Sequence, residues 1–213
     1  MTLAQDLPLR CRCGHVHGLA RDVAPSSGFR FVCYCRDCQA FARILARPDV
    51  LDAAGGTDIF QMAAGRVTLA AGTDAVRCLQ FSRKVLRWYA DCCGTPLANT
   101  AVGPRFPMVA VIHSFMGDPA DGRSRDQALG PPLCRIFERS ALAPLPPDAP
   151  PPGSFGLFAL RGSRFLGWWW RGLGRPHPFF DPHTGAPLAA PRVVAPDERA
   201  ALLNGPTNSG KSS

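Results

Sequence analysis

A chain of 213 residues, 46% of them hydrophobic, has enough apolar material for a packed core, which excludes disorder throughout. Its 22 prolines and 21 glycines call for many turns and exclude a long helical bundle. The net charge of +8 suits an anionic partner, yet residues 1–140 hold no basic block interleaved with aromatics, so nucleic-acid binding is not expected.

The first residues, Met1 to Leu7, carry no charged leader followed by an apolar core, so no secretory signal is read there. The longest apolar stretch, Phe155 to Trp170, is interrupted by Arg161 and Arg164 and is short for a bilayer span. The expected location is therefore cytoplasmic. In that reducing compartment nine cysteines read as metal ligands or catalytic thiols rather than disulfides.

The first thiol pair is Cys11-Arg12-Cys13-Gly14. On an extended segment alternate side chains share a face, and Gly14 frees the backbone to turn around an ion. His15 and His17 follow at the same alternation; they read as ordinary polar residues before ligands. After a turn at residues 25–28, Phe29 to Cys33 reads as a strand that delivers the densest cluster, Cys33, Cys35 and Cys38. Cys33 and Cys35 point the same way by alternation, and a turn at Arg36-Asp37 brings Cys38 round to complete a three-sulfur cup. Three protein ligands on a tetrahedral ion leave one corner for water or substrate, the mark of a reactive zinc site. The plain alternative is a reduced trio packed as small hydrophobes. Asp37 is placed as the cap of a helix over Gln39 to Arg47, whose positive end favours thiolate at Cys38.

Short β-type runs follow at residues 59–62, 66–70, 76–82, 84–89 and 108–113, separated by Gly-rich turns. They indicate a mainly β, antiparallel architecture. Cys78, inside one run, reads as core; Cys134 is assigned no role. Between the fourth and fifth runs stand Cys92 and Cys93, ahead of a Gly94-Thr95-Pro96 turn. With Cys11 and Cys13 they can close a four-sulfur structural site, since two ligand pairs far apart in sequence are ordinary for structural zinc.

Taken together, Cys11-x-Cys13-Gly, Cys33-x-Cys35-x-x-Cys38 and Cys93-Gly-Thr-Pro-Leu97 resemble the glutathione-dependent formaldehyde-activating enzyme family, which includes centromere-protein-V-like domains. The resemblance covers residues 8–115. It implies an antiparallel β-tent with two zinc ions, Cys11, Cys13 and Cys93 in the structural site and Cys33, Cys35 and Cys38 in the open, catalytic one. It further implies condensation of formaldehyde with glutathione to S-hydroxymethylglutathione, a carbon–sulfur lyase activity in the reverse sense. One departure stands out. The family pattern would put a thiol at position 90, where this chain has Ala90, and Cys92 stands instead. Adjacent cysteines alternate faces in a strand, so either the backbone bends sharply between Cys92 and Cys93, or the closed site is incomplete or absent.

From Ala141 to Gly153 the chain is rich in proline, a semi-rigid linker. The expected organisation is a zinc-binding β domain over 1–140, the linker over 141–153, a helix and aromatic-loop appendage over 154–203 and a frayed tail over 204–213. Ser154 caps a helix with Arg161, Arg164, Arg171 and Arg175 on one side and Phe and Trp residues on the other. It reads as packing its aromatic side on the β domain, with peripheral membrane contact through 154–175 as the alternative. Residues 176–183 form an ordered loop anchored by Phe179 and Phe180, and 197–203 a short helix. Residues 205–212 match the phosphate-loop pattern, but no strand precedes them, so the match reads as coincidental. Two functions emerge: a zinc-dependent carbon–sulfur lyase acting on a small thiol–aldehyde adduct, or a non-catalytic zinc module for protein or membrane-surface contact.

Overall fold

Side chains that alternate between two buried environments are what hold this chain together. The computed structural model describes residues 4–204. In it the strands are β1 (Gln5–Arg10), β2 (His17–Val23), β3 (Phe29–Cys33), β4 (Thr57–Ala63), β5 (Val67–Ala71), β6 (Val76–Ser82), β7 (Val85–Ala90), β8 (Thr95–Ala101), β9 (Met108–Ile112), β10 (Cys134–Ile136) and β11 (Arg192–Val193). The helices are α1 (Arg36–Ile44), α2 (Arg125–Leu129), α3 (Phe155–Trp170) and α4 (Pro196–Asn204). The fold is mainly β. β1, β2 and β5 form a three-stranded antiparallel sheet, and an eight-stranded sheet runs β10-β3-β4-β9-β8-β7-β6-β11. The larger sheet is antiparallel except at its rims, where β10 runs parallel to β3 and β11 parallel to β6.

The six strands expected from the sequence are present with ends displaced by at most two residues. β1, β2, β8, β10 and β11 were not foreseen. β1 contains Pro8, which lacks a ladder donor but is tolerated because β1 is an edge strand. β8 opens on Thr95-Pro96, a turn signal in sequence; Pro96 sits where the β7–β8 register shifts, and a bulge accommodates it. The helix start also differs. Cys35, not Asp37, is the N-cap of α1: its backbone is extended and its carbonyl accepts from the Cys38 and Gln39 amides. Asp37 sits in the first turn and pairs with Arg199 of α4 at 2.5 Å.

β4 shows how one strand serves two environments. Phe60 and Met62 enter the main core with Leu7, Leu9 and Trp88, whereas Ile59 faces the other side with Phe29, Phe31 and Cys33. Residues beyond the Pro-rich stretch join both environments. Phe179 stacks on the fully buried Trp88 with centroids 4.9 Å apart, Phe180 meets it edge-on, and β11 extends the larger sheet. The expected aromatic anchors of the 176–183 loop are therefore core residues. The phosphate-loop pattern at 205–212 lies outside the described residues.

His177 is buried against Phe180, with ring centroids 4.7 Å apart, and burial lowers its pKa from 6.5 to about 4. The unfolded chain gains a proton near pH 6.5 that the folded chain resists until about pH 4. The contribution of this neutral ring is thus complete above pH 6.5 and is lost as the pH falls through that window. Urea unfolding should report a loss of up to ~3 kcal/mol between those limits. His177→Asn, which keeps an acceptor for the Phe179 amide, should flatten that part of the profile.

Candidate metal centres

The last residue of β3 is Cys33, and the extended backbone continues through Cys35 before α1 begins. Between them Tyr34 turns to the opposite side, where its hydroxyl donates to Asp52 at 2.9 Å. Alternation therefore sets Cys33 and Cys35 on one side, and the first turn of α1 brings Cys38 to them. The three sulfurs lie within 4.8 Å of one another. Among the described residues no further His, Cys, Asp or Glu joins this group. The N-terminus of α1, with its partial positive charge, faces the same cluster.

Arg87 of β7 completes this site, and the sequence reading did not name it. It lies opposite Leu79 of β6 and Asn99 of β8, and its Nη1 donates to the Cys38 sulfur at 3.4 Å and to Asn99 Oδ1 at 3.2 Å. Its guanidinium also lies 5.7 Å from the Phe41 ring centre and 5.8 Å from that of Phe81. Hydrogen bonds from Cys33 and Cys35 bring the Cys38 pKa well down against the opposing effect of burial, and Arg87 adds to that. Hydrogen bonding with Cys35 and Cys38, together with burial, pushes Cys33 strongly up. The cluster thus favours one thiolate and resists a second until a cation enters.

The three thiols open onto a cleft of about 720 Å³. Phe31, Ile59, Val85 and Met108 give it apolar walls, and Arg36, Lys84 and Arg161 add cationic groups. Arg161 comes from α3, donates to Gln61 at 2.6 Å and lies over the Phe31 ring. α3 therefore reaches the site with its arginine side, not with the aromatic side that its sequence pattern suggests.

At the second cluster, Cys11 to Gly14 form the turn between β1 and β2 rather than an extended segment, with Gly14 N donating to Cys11 O. Residues 91–94 form the turn between β7 and β8, where both Cys93 N and Gly94 N donate to Ala90 O. Gly94 has φ +67°, and a Cβ there would stand 2.8 Å from Leu45 O, so only glycine fits. This turn bends the chain between Cys92 and Cys93, and the sulfurs of Cys11, Cys13, Cys92 and Cys93 all lie within 4.8 Å of one another. Sulfur separations are 3.5 Å for Cys11–Cys13, 3.4 Å for Cys13–Cys92, 4.0 Å for Cys11–Cys92 and 3.9 Å for Cys92–Cys93. A tetrahedral ion with sulfur ligands needs edges of roughly 3.8 Å. The Val16 amide donates to Cys11 Sγ at 3.3 Å. Burial raises Cys93, but the Thr95 hydroxyl and the Cys13 and Thr95 amides outweigh it and bring it to about 6. Both clusters are geometrically compatible with metal binding.

The remaining candidates fall outside these clusters. His15 faces Asp74 at 3.6 Å, and His17 Nδ1 lies 3.2 Å from Gly14 O. Asp181 caps its own loop by accepting from the His183 and Thr184 amides. Cys78 is buried in the main core and Cys134 beside Phe31. Asp58, His113 and Asp126 also converge, but Arg30 donates to Asp58 at 2.6 Å and to Asp126 at 2.7 Å. That guanidinium supplies the positive charge the carboxylates need, so the group is an ion-pair network.

A model for a family of unknown function (DUF6151) matches residues 3–190. No curated protein matches the chain.

Proposed function

The chain belongs to the family of unknown function DUF6151, and we propose that it is a two-zinc protein whose Cys33/Cys35/Cys38 cluster catalyses formation and cleavage of the carbon–sulfur bond in thiol–aldehyde adducts such as S-hydroxymethylglutathione. The observation that carries the reading is the set of three sulfurs within 4.8 Å, without a fourth such ligand among the described residues, opening onto a lined cleft. The donor set fits zinc with one corner free, and the cluster of Cys11, Cys13, Cys92 and Cys93 fits a closed structural ion. The likeness of the cysteine pattern to that of the formaldehyde-activating family supports the same reading.

When bound, zinc supplies a Lewis acid beside the reacting sulfur and carbonyl oxygen. Three thiolates around a divalent cation leave one net negative charge, and Arg87 provides the positive charge that cancels it. Arg36, Lys84 and Arg161 attract an anionic thiol to the cleft. Phe31, Ile59, Val85 and Met108 limit access of water to the adduct. In the forward direction the thiol sulfur bonds to the aldehyde carbon and the thiol proton ends on the carbonyl oxygen; the reverse direction returns both reactants.

Purified, zinc-loaded protein should accelerate adduct formation between formaldehyde and glutathione, with the acceleration lost on chelation and regained with zinc. A rate equal to the uncatalysed one with glutathione and with several other thiols would remove the catalytic reading. It would leave a non-catalytic zinc module.

A further inference from the structure

α3 is turned the opposite way from an ordinary surface helix. Its two arginines face the protein: Arg161 bonds to Gln61, and Arg164 donates to the Gly28 carbonyl. Trp168 is buried beside Phe165 on the same side. The side facing solvent carries no charge. Phe155 is 89% exposed, Leu166 60%, Trp169 63% and Trp170 83%, with Phe158 and Leu160 between them. Phe106, which packs on Phe165 with centroids 5.4 Å apart, extends this apolar surface. A contiguous face of this kind marks an interaction site.

Charge selects the occupant. Residues 149–180 contain four arginines and no Asp or Glu. Arg171 and Arg175 are exposed just past the apolar face, and Arg105 is exposed next to Phe106. A second copy would bring the same cations and another net charge of +8, so like charges would oppose self-association. An anionic bilayer supplies the opposite sign and a hydrocarbon boundary together. Trp and Phe immersed at the headgroup level with Arg beside them is the pattern of a helix lying in a membrane interface.

We propose that the outer face of α3, from Phe155 to Trp170, docks the protein onto an anionic lipid surface. Docking of this kind needs no spanning segment, and no helix among the described residues is long and apolar enough to cross a membrane. The proposal stands independently of the catalytic reading.

The test is sedimentation of the full chain with phosphatidylcholine vesicles, with and without phosphatidylglycerol. The expected result is binding to the anionic vesicles that weakens with added salt and falls at least about tenfold in Leu166→Asp/Trp170→Asp. Both residues are exposed, so the variant should keep the parent unfolding midpoint. A milder Trp170→Ser variant, with quenching of wild-type tryptophan fluorescence by brominated lipid, gives the same reading should the double variant not fold. No binding to either vesicle type would overturn the proposal, as would binding that the variants leave unchanged. A dimer in sedimentation velocity that the double variant dissolves, without vesicle binding, would assign the face to a second copy instead.

Discussion

Cys33→Ser should hold one zinc ion per chain where the parent holds two, and should lose catalysis while keeping a parent-like unfolding temperature. Cys11→Ser should also hold one ion, but its unfolding temperature should fall by roughly 10 °C, in keeping with a loss of ~4 kcal/mol. The asymmetry comes from what each cluster ties together. Cys33, Cys35 and Cys38 lie within six residues at one strand–helix junction, so a shared ion constrains little chain that is not already ordered. Cys13 and Cys92 are 79 positions apart, and their cluster joins the β1–β2 turn of the small sheet to the β7–β8 turn of the large one. Closing the longer loop removes ~2 kcal/mol more entropy from the unfolded chain, and the metal's binding energy is also folding energy there. Loading must expel protons, because Cys33 is held protonated by its hydrogen bonds with Cys35 and Cys38 and by burial. Zinc occupancy should therefore fall as pH is lowered. Metal analysis and thermal unfolding of the two variants decide the matter; two ions retained in Cys33→Ser would end the claim that the three-thiol cluster is a site.

The three-thiol cluster was legible in sequence because its geometry is local. Alternation along β3 and a turn into α1 bring the sulfurs together whatever the rest of the chain does. The four-thiol cluster was only half legible. The position of Cys92 beside Cys93 left open whether both could face one ion, and the answer lies in a turn whose tightness depends on Gly94 passing close to Leu45 O. Arg87 was not legible at all. Nothing near it in sequence marks it, and its partner Cys38 is reached only through the β6–β7–β8 register and the packing of α1 on that sheet. The orientation of α3 was hidden for a related reason. A stripe of arginines on a helix predicts a solvated side, but here a buried glutamine, a backbone carbonyl and aromatic rings receive the arginines, and the apolar side is left outside.

Arg87→Met should weaken zinc at the three-thiol cluster by 10- to 100-fold, the range seen when a residue supporting the ligands is removed. The four-thiol cluster should keep its affinity. Arg87 is only 5% exposed, so its charge is costly to bury; the negative charge at Cys38 and the hydrogen bond to it nevertheless outweigh that burial and keep it charged. Methionine keeps apolar contact with Phe41 and Phe81 but removes the donor to Cys38 and leaves Asn99 Oδ1 without its Arg87 partner. An unpaired buried acceptor costs ~1–3 kcal/mol, so a stability loss of that size should accompany the metal effect. Arg87→Lys separates charge from geometry: a compact ammonium restores the positive charge but not the planar fork, so affinity should recover in part. Competition with a chromophoric chelator, read separately for the two ions, measures all of this. Equal affinities in parent, methionine and lysine variants would mean that Arg87 merely fills space beside the sulfurs, and that the negative charge of a loaded cluster is balanced from elsewhere.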